Sequence, residues 1–191
     1  MILDTLITDR TLDDVERLRE LKAKLLSNTA TTAERNEWLA GLKGAYNYTD
    51  LNRVGQAQEY ILAEFESAQT TVDTYRESCG VASDPAFVLP FVYSELPTKT
   101  DWAMTDIPSE GEMQDYLDTT RTMGVWCQLH SAEFKSLPTT MNNLDYNKAN
   151  TIETVLLQID QRLSDMIDEY KAKIDYMAIG DRWCGQMNCG G

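Results

Sequence analysis

The stretch Asn150-Thr-Ile152-Glu-Thr-Val155-Leu156-Leu-Gln-Ile159-Asp-Gln-Arg-Leu163-Ser-Asp-Met166-Ile167-Asp-Glu-Tyr170 decides the fold class. Ile152, Leu156, Ile159, Leu163, Met166 and Tyr170 alternate four and three residues apart. That spacing puts them on one stripe of a helix and makes a heptad-like seam. The helix is expected to start between Asp145 and Asn147 and to end near Tyr176, with Lys173 closing the apolar stripe. Two destinations fit such a seam: packing inside the subunit, or a subunit-to-subunit contact in a fibre-like homo-oligomer.

The rest of the chain reads as helices as well. Thr11 followed by Asp13 and Asp14, and the capping boxes Thr31-x-x-Glu34 and Ser109-x-x-Glu112, mark three helix starts. Thr49 is expected to cap a longer helix whose apolar face carries Leu51, Val54, Ile61, Leu62, Phe65 and Val72, with Gly80 as its stop. Val15, Leu18, Leu21 and Leu25 share one face of the first helix, while Trp38, Leu39 and Leu42 belong to the short second one, stopped by Gly44. Met113, Leu117 and Val125 follow at helical spacings, before Pro138. Between them Pro85, Pro90, Pro97 and Pro108 break the pattern, and Phe87-Val-Leu89 and Phe91-Val-Tyr93 read as extended and apolar. The expectation is an all-α chain of two related helical modules: residues 1–80, an apolar connector 81–108, a second module 109–178 with the long C-terminal helix, and a Gly/Cys tail 179–191.

The modules look duplicated. Tyr48-x-x-x-Asn52-x-Val54 matches Tyr146-x-x-x-Asn150-x-Ile152 at a constant offset, and Thr8-Asp9-Arg10 has a counterpart in Thr100-Asp101-Trp102. Two related helical units that bury their apolar faces on each other, or on a partner, are the simplest account.

Composition narrows the function classes. With 17 basic and 31 acidic residues among 191, the net charge is −14. Such a surface repels phosphate, so nucleic-acid binding through a basic face is not expected. The charge fits plain solubility, attraction to a basic protein, or mimicry of DNA. No apolar run approaches the ~18–20 residues of a membrane span. The opening Met1-Ile-Leu-Asp4 lacks the basic start of a secretory signal, which points to a cytoplasmic origin. The chain is long enough to bury a core without metal or disulfide support. Cys79, Cys127, Cys184 and Cys189 match no zinc or thioredoxin spacing. They read as reduced thiols, with a Cys184–Cys189 ring as an alternative.

Ile7-Thr-Asp-Arg-Thr11, Asn36-Glu-Trp-Leu-Ala-Gly-Leu-Lys-Gly-Ala-Tyr-Asn47 and Thr49-Asp-Leu-Asn-Arg-Val-Gly55, with Lys99-Thr-Asp-Trp102, Asp106-Ile-Pro108 and Leu144-x-Tyr146-x-x-Ala149-Asn150-x-Ile152-Glu153, resemble a helical module of tailed phages and prophages of Gram-positive, often gut, bacteria. There the module accompanies tail-fibre, baseplate and other minor structural proteins. The resemblance covers most of residues 7–170, while the stretch 66–95 and the C-terminal end depart from it. It implies a virion component that acts through contacts with other phage structural proteins, in a symmetric homo-oligomeric assembly. It brings no catalytic residues and no cofactor.

The residues themselves present no nucleotide loop, nucleophile elbow, zinc-protease or EF-hand motif. No catalytic or metal-binding residue is assigned. His130 reads as an exposed or packed side chain. The acid pairs Asp13/Asp14, Glu64/Glu66, Glu110/Glu112 and Asp165/Asp168/Glu169 sit at helix starts or on polar faces, although a wall-cleaving glycosidase would need two acids across a cleft. Trp183, among glycines and cysteines, reads either as a packed or frayed end or as an anchor on a partner. The rival functional reading is an acidic DNA mimic or inhibitor of a host defence protein.

Overall fold

Each helix starts where a side chain satisfies the amides that the first turn leaves open. The computed structural model describes residues 1–186, with side-chain environments through 177. Among these residues there are six helices and no strand. They are α1 (Leu12–Leu26), α2 (Thr32–Ala40), α3 (Tyr48–Ser78), α4 (Glu110–Trp126), α5 (Ala132–Lys135) and α6 (Tyr146–Gln186). Thr11, Thr31 and Ser109 take the amides of Asp14, Glu34 and Glu112, and those three carboxylates take the cap amides in return. α3 is capped earlier than its sequence suggests: Asn47 Oδ1 accepts from the Thr49 amide at 2.8 Å, and Asp50 accepts from Asn47 N. α2 stops at Gly41, not Gly44, because Gly41 takes a φ of +92°. α4 stops at Trp126, well before Pro138, because Gln128 turns left-handed.

The two long helices run parallel. Arg53 on α3 reaches Glu153 on α6 near one end, and Tyr75 reaches Asp175 near the other, both pairs one hundred residues apart. Ile152, Leu156, Ile159, Leu163 and Met166 are all buried in this pair. α3 supplies the complement: Val54, Gln58, Ile61, Phe65, Ala68 and Val72 repeat the four-three spacing and are buried too. The subunit-to-subunit reading of the seam is thereby corrected: within this chain α3 already fills it, and α4 packs over the same core. Tyr170 is half-buried at its edge. There Lys173 lies over the Tyr170 and Phe87 rings and donates to the Ala86 carbonyl at 2.8 Å. The lysine closes the seam by latching the connector onto α6.

Parallel neighbours need a long return path, since a 31-residue helix spans roughly 45 Å at ~1.5 Å per residue. The connector and α4–α5 provide it. Phe87, Leu89 and Phe91 are buried while Val88 and Val92 face outward, the alternation of an extended chain. Phe91 and Trp126 meet Phe65 edge-on, with ring centroids 5.0 and 5.2 Å away. One short 3-10 turn, Pro85–Phe87, is its only regular structure. Val125, expected inside, is exposed; Tyr116, Thr119, Thr120 and Met123 face the core instead.

Three of the helices end alike. α1 and α4 both end in a left-handed residue, Asn28 (φ 56°) and Gln128 (φ 53°). Each end is closed by a bond from the following amide to the carbonyl five residues back, 2.9 Å in both. α3 closes the same way around Gly80, the stop its sequence predicts. The repeats differ in packing. α4 contributes Tyr116, Leu117 and Met123 to the main core, to which α1 and α2 contribute nothing. The α1–α2 hairpin is instead tied together by ion pairs of Arg17 with Glu37 and Lys24 with Glu34, at 2.7 and 2.6 Å.

α6 continues as helix through Gln186, past the expected end near Tyr176, so residues 179–186 belong to the helix rather than to a tail. The side chains of Trp183 and Cys184, and all of Cys189, lie outside the described residues.

The Lys24 ammonium, with the amide and hydroxyl of Thr31, holds the Glu34 carboxyl down to about 2. A folded value below the unfolded one stabilises the fold above the unfolded pKa, and that contribution is lost as pH falls through the folded value. Wild type should therefore lose stability between pH 4.5 and about 2 more steeply than Glu34→Gln, as read from urea midpoints across that range.

Candidate functional site at the module junction

Residues 7–10 and 99–102 are extended segments leading into α1 and α4. Each is held by the long helix of the other module. Asn150 on α6 accepts from the Arg10 amide at 3.0 Å and donates to the Arg10 carbonyl at 2.9 Å. Asn52 on α3 accepts from the Trp102 amide at 2.7 Å and donates to its carbonyl at 2.9 Å. An amide side chain offers one acceptor and two donors, so it can mimic a strand edge toward one residue. These are the asparagines of the duplicated Tyr-x-x-x-Asn pattern, and the two clamps cross between the modules.

Beyond the clamps the two junctions diverge. In the first, Arg10 enters the interior and donates to Asp50 (2.9 Å), to Glu153 (2.6 Å) and to the Ile7 carbonyl (2.6 Å). Arg53 meets the same two carboxylates, and the Ile7 amide donates to Glu153 at 2.6 Å. Two guanidiniums thus face two carboxylates, and Glu153 is fully buried. Burial works against the Arg53 charge, but its hydrogen bonds to Glu153 and Asp50 outweigh it and raise its pKa. In the second junction Gly55 stands where Glu153 stands in the first. A Cβ there would lie 2.1 Å from the Lys99 carbonyl oxygen, so the connector backbone packs directly on α3. Trp102 takes the place of Arg10 and is buried.

Near Arg10, which stacks over the Tyr46 ring at 5.4 Å, the Tyr46 and Tyr116 hydroxyls bond each other. Burial raises both phenols above their ordinary range, so neither is a base at neutral pH. Burial also pushes the Cys127 thiol up to about 12, and its Sγ faces the Ile159 carbonyl. His130 is exposed, and Cys79 is half-buried and free. Trp38 is partly exposed, while Trp126 sits in the aromatic cluster with Phe65, Phe91 and Tyr93. No group of three or more metal-ligating side chains occurs among the described residues, and no helix there is long and apolar enough to cross a membrane.

A cleft of about 530 Å³ opens between residues 97–102 and the start of α4, with Asp101, Glu112 and Asp115 on its lining. A glycosidase acid needs a raised pKa. Here the Lys99 ammonium lowers Asp101, and the Ser109 amide and hydroxyl lower Glu112.

Sequence reading found the duplicated asparagines and did not see what they hold. It missed the Arg10–Asp50–Arg53–Glu153 cluster. The available signal was Glu153 directly beside Ile152 of the seam, a charge next to a core position. Comparison with family models, curated proteins and solved structures finds no match to this chain.

Glu153→Ala leaves two guanidiniums without half of their charge partners. It should cost about 3–5 kcal/mol, measured by urea unfolding. Asn150→Ala and Asn52→Ala each strand a backbone amide and carbonyl. Each should cost about 2–4 kcal/mol in the same assay and speed amide exchange at residues 10 and 102, respectively.

Proposed function

We propose that this protein is a bacteriophage virion component, an adaptor or host-attachment module of a tail, baseplate or fibre, working through contacts with other structural proteins of the particle. One observation carries the reading. One of the two most specific strings of the phage-module resemblance, Thr49-Asp-Leu-Asn-Arg-Val-Gly55, supplies Asn52, Arg53 and Gly55, which meet Trp102, Glu153 and the Lys99 backbone, and Asp50, which pairs with Arg10 and Arg53 beside them. That string therefore lies in residues that make this architecture, beyond general helical composition. Most polar groups buried at the junction hold segments together, as suits a rigid part that serves to present surfaces. The acidic charge keeps such a part soluble before it is incorporated.

In this reading the chain copurifies with particles. Mass spectrometry of gradient-purified virions should detect it at a fixed ratio to the tail proteins, and lysine cross-linking should join it to at least one of them. Its absence from intact particles, with the chain present in the same lysate, would exclude the reading.

A further inference from the structure

α1 turns one face inward and leaves the opposite face bare. Leu21 is fully buried, and Leu18 and Leu25 are half-buried beside it. On the far side Leu12, Glu16, Arg19, Ala23 and Leu26 recur four and three residues apart, and all five are exposed. The leucines at the two ends of this stripe are 50% and 78% exposed, respectively. Its two central charges are unused. Arg17 and Lys24 pair with α2, whereas Glu16 and Arg19 make no ion pair or side-chain hydrogen bond among the described residues. The hairpin also differs in charge from the rest of the chain. Residues 11–47 carry six acidic and six basic side chains, so the net charge of −14 lies wholly outside them.

We propose that this stripe is the contact between two copies of the chain, α1 lying against the α1 of a second copy in antiparallel orientation. Four-three spacing makes the stripe a seam for one other helix. Charge complementarity selects both the occupant and its direction. In the antiparallel pair, Glu16 of each copy meets Arg19 of the other, and Leu12 of each meets Ala23. One two-fold axis through the middle of the contact makes both ion pairs at once. A parallel pair would set Glu16 on Glu16 and Arg19 on Arg19, and like charges across a seam are penalised. The neutral hairpin is also where two copies approach without the repulsion of their acidic bodies. The α6 seam does not compete for this role, since it is buried within the chain. The inference goes beyond the reading as a virion part and does not rest on it, because it uses only the exposure and charge of α1.

The test is the mass of the full chain by sedimentation equilibrium. At roughly 100 μM, where a small transient contact associates, the wild-type chain should be partly dimeric. Glu16→Arg and Arg19→Glu each set like charges across both pairs. Each should weaken association about tenfold, as expected when two surface pairs are lost and replaced by repulsion. The double variant carrying both exchanges reverses the pairs and keeps them complementary, so it should dimerise as wild type does. Raised salt should narrow the gap between the single variants and the double one. Both side chains are exposed and unpaired within the chain, so each variant should keep the wild-type urea midpoint at a concentration too low for pairing. A chain that stays monomeric at the higher concentration overturns the inference. So do single variants that associate as wild type does, or a double variant that associates no better than the single ones.

Discussion

The parallel packing of α3 on α6 is the constraint on which the rest of the molecule depends. Two seams with the same four-three spacing face each other, and their apolar side chains are buried in one core. Full burial of one such side chain contributes about 1.5–3 kcal/mol, so a seam of this length outweighs any single polar contact. Parallel orientation dictates the topology. The chain must travel the length of α3 again before α6 can begin, and residues 79–145 exist to do so. The Pro-rich connector also completes the core. Its alternating apolar residues cover the side of α3 that α4 leaves bare, with Phe91 and Trp126 closing on Phe65.

The crossed asparagine clamps set the register of that pair. An apolar seam tolerates a slip of one heptad, because the slipped helices bury similar surface. Asn52 and Asn150 do not tolerate it, since each must meet both backbone groups of one residue in the opposite module. The ion cluster adds a second lock. Its charges are costly to bury, and they contribute chiefly by penalising any arrangement that separates them. The two junctions reach the same end by different means, one through Arg10 and Glu153, the other through Trp102 and Gly55. Where the side chain is large and charged, the helix presents a carboxylate. Where it is aromatic, the helix presents bare backbone.

The unequal packing of the two halves also accounts for the uneven surface. α4 is drawn into the shared core, while the equivalent α1 stands apart with α2, joined by ion pairs. The cleft at Trp102 belongs to the second junction, where Gly55 lets the connector backbone come close at Lys99.

The sequence by itself determined the helices, most of their caps and the repeat, because these depend on residues within a few positions of one another. Thr11, Thr31 and Ser109 cap as their spacing predicts, and Gly80 ends α3. Local chemistry also went astray where two candidates competed: Asn47 caps α3 ahead of Thr49, and Gly41 stops α2 ahead of Gly44. Only the tertiary structure decided what the seam of α6 packs against, since a four-three stripe is the same whether its partner is another subunit or a helix ninety-eight residues earlier. It likewise decided that Arg10, Asp50, Arg53 and Glu153 meet, and that Trp102 is left with a free donor. Those residues are brought together by the crossing of two modules. No local spacing encodes a contact between positions 10 and 153.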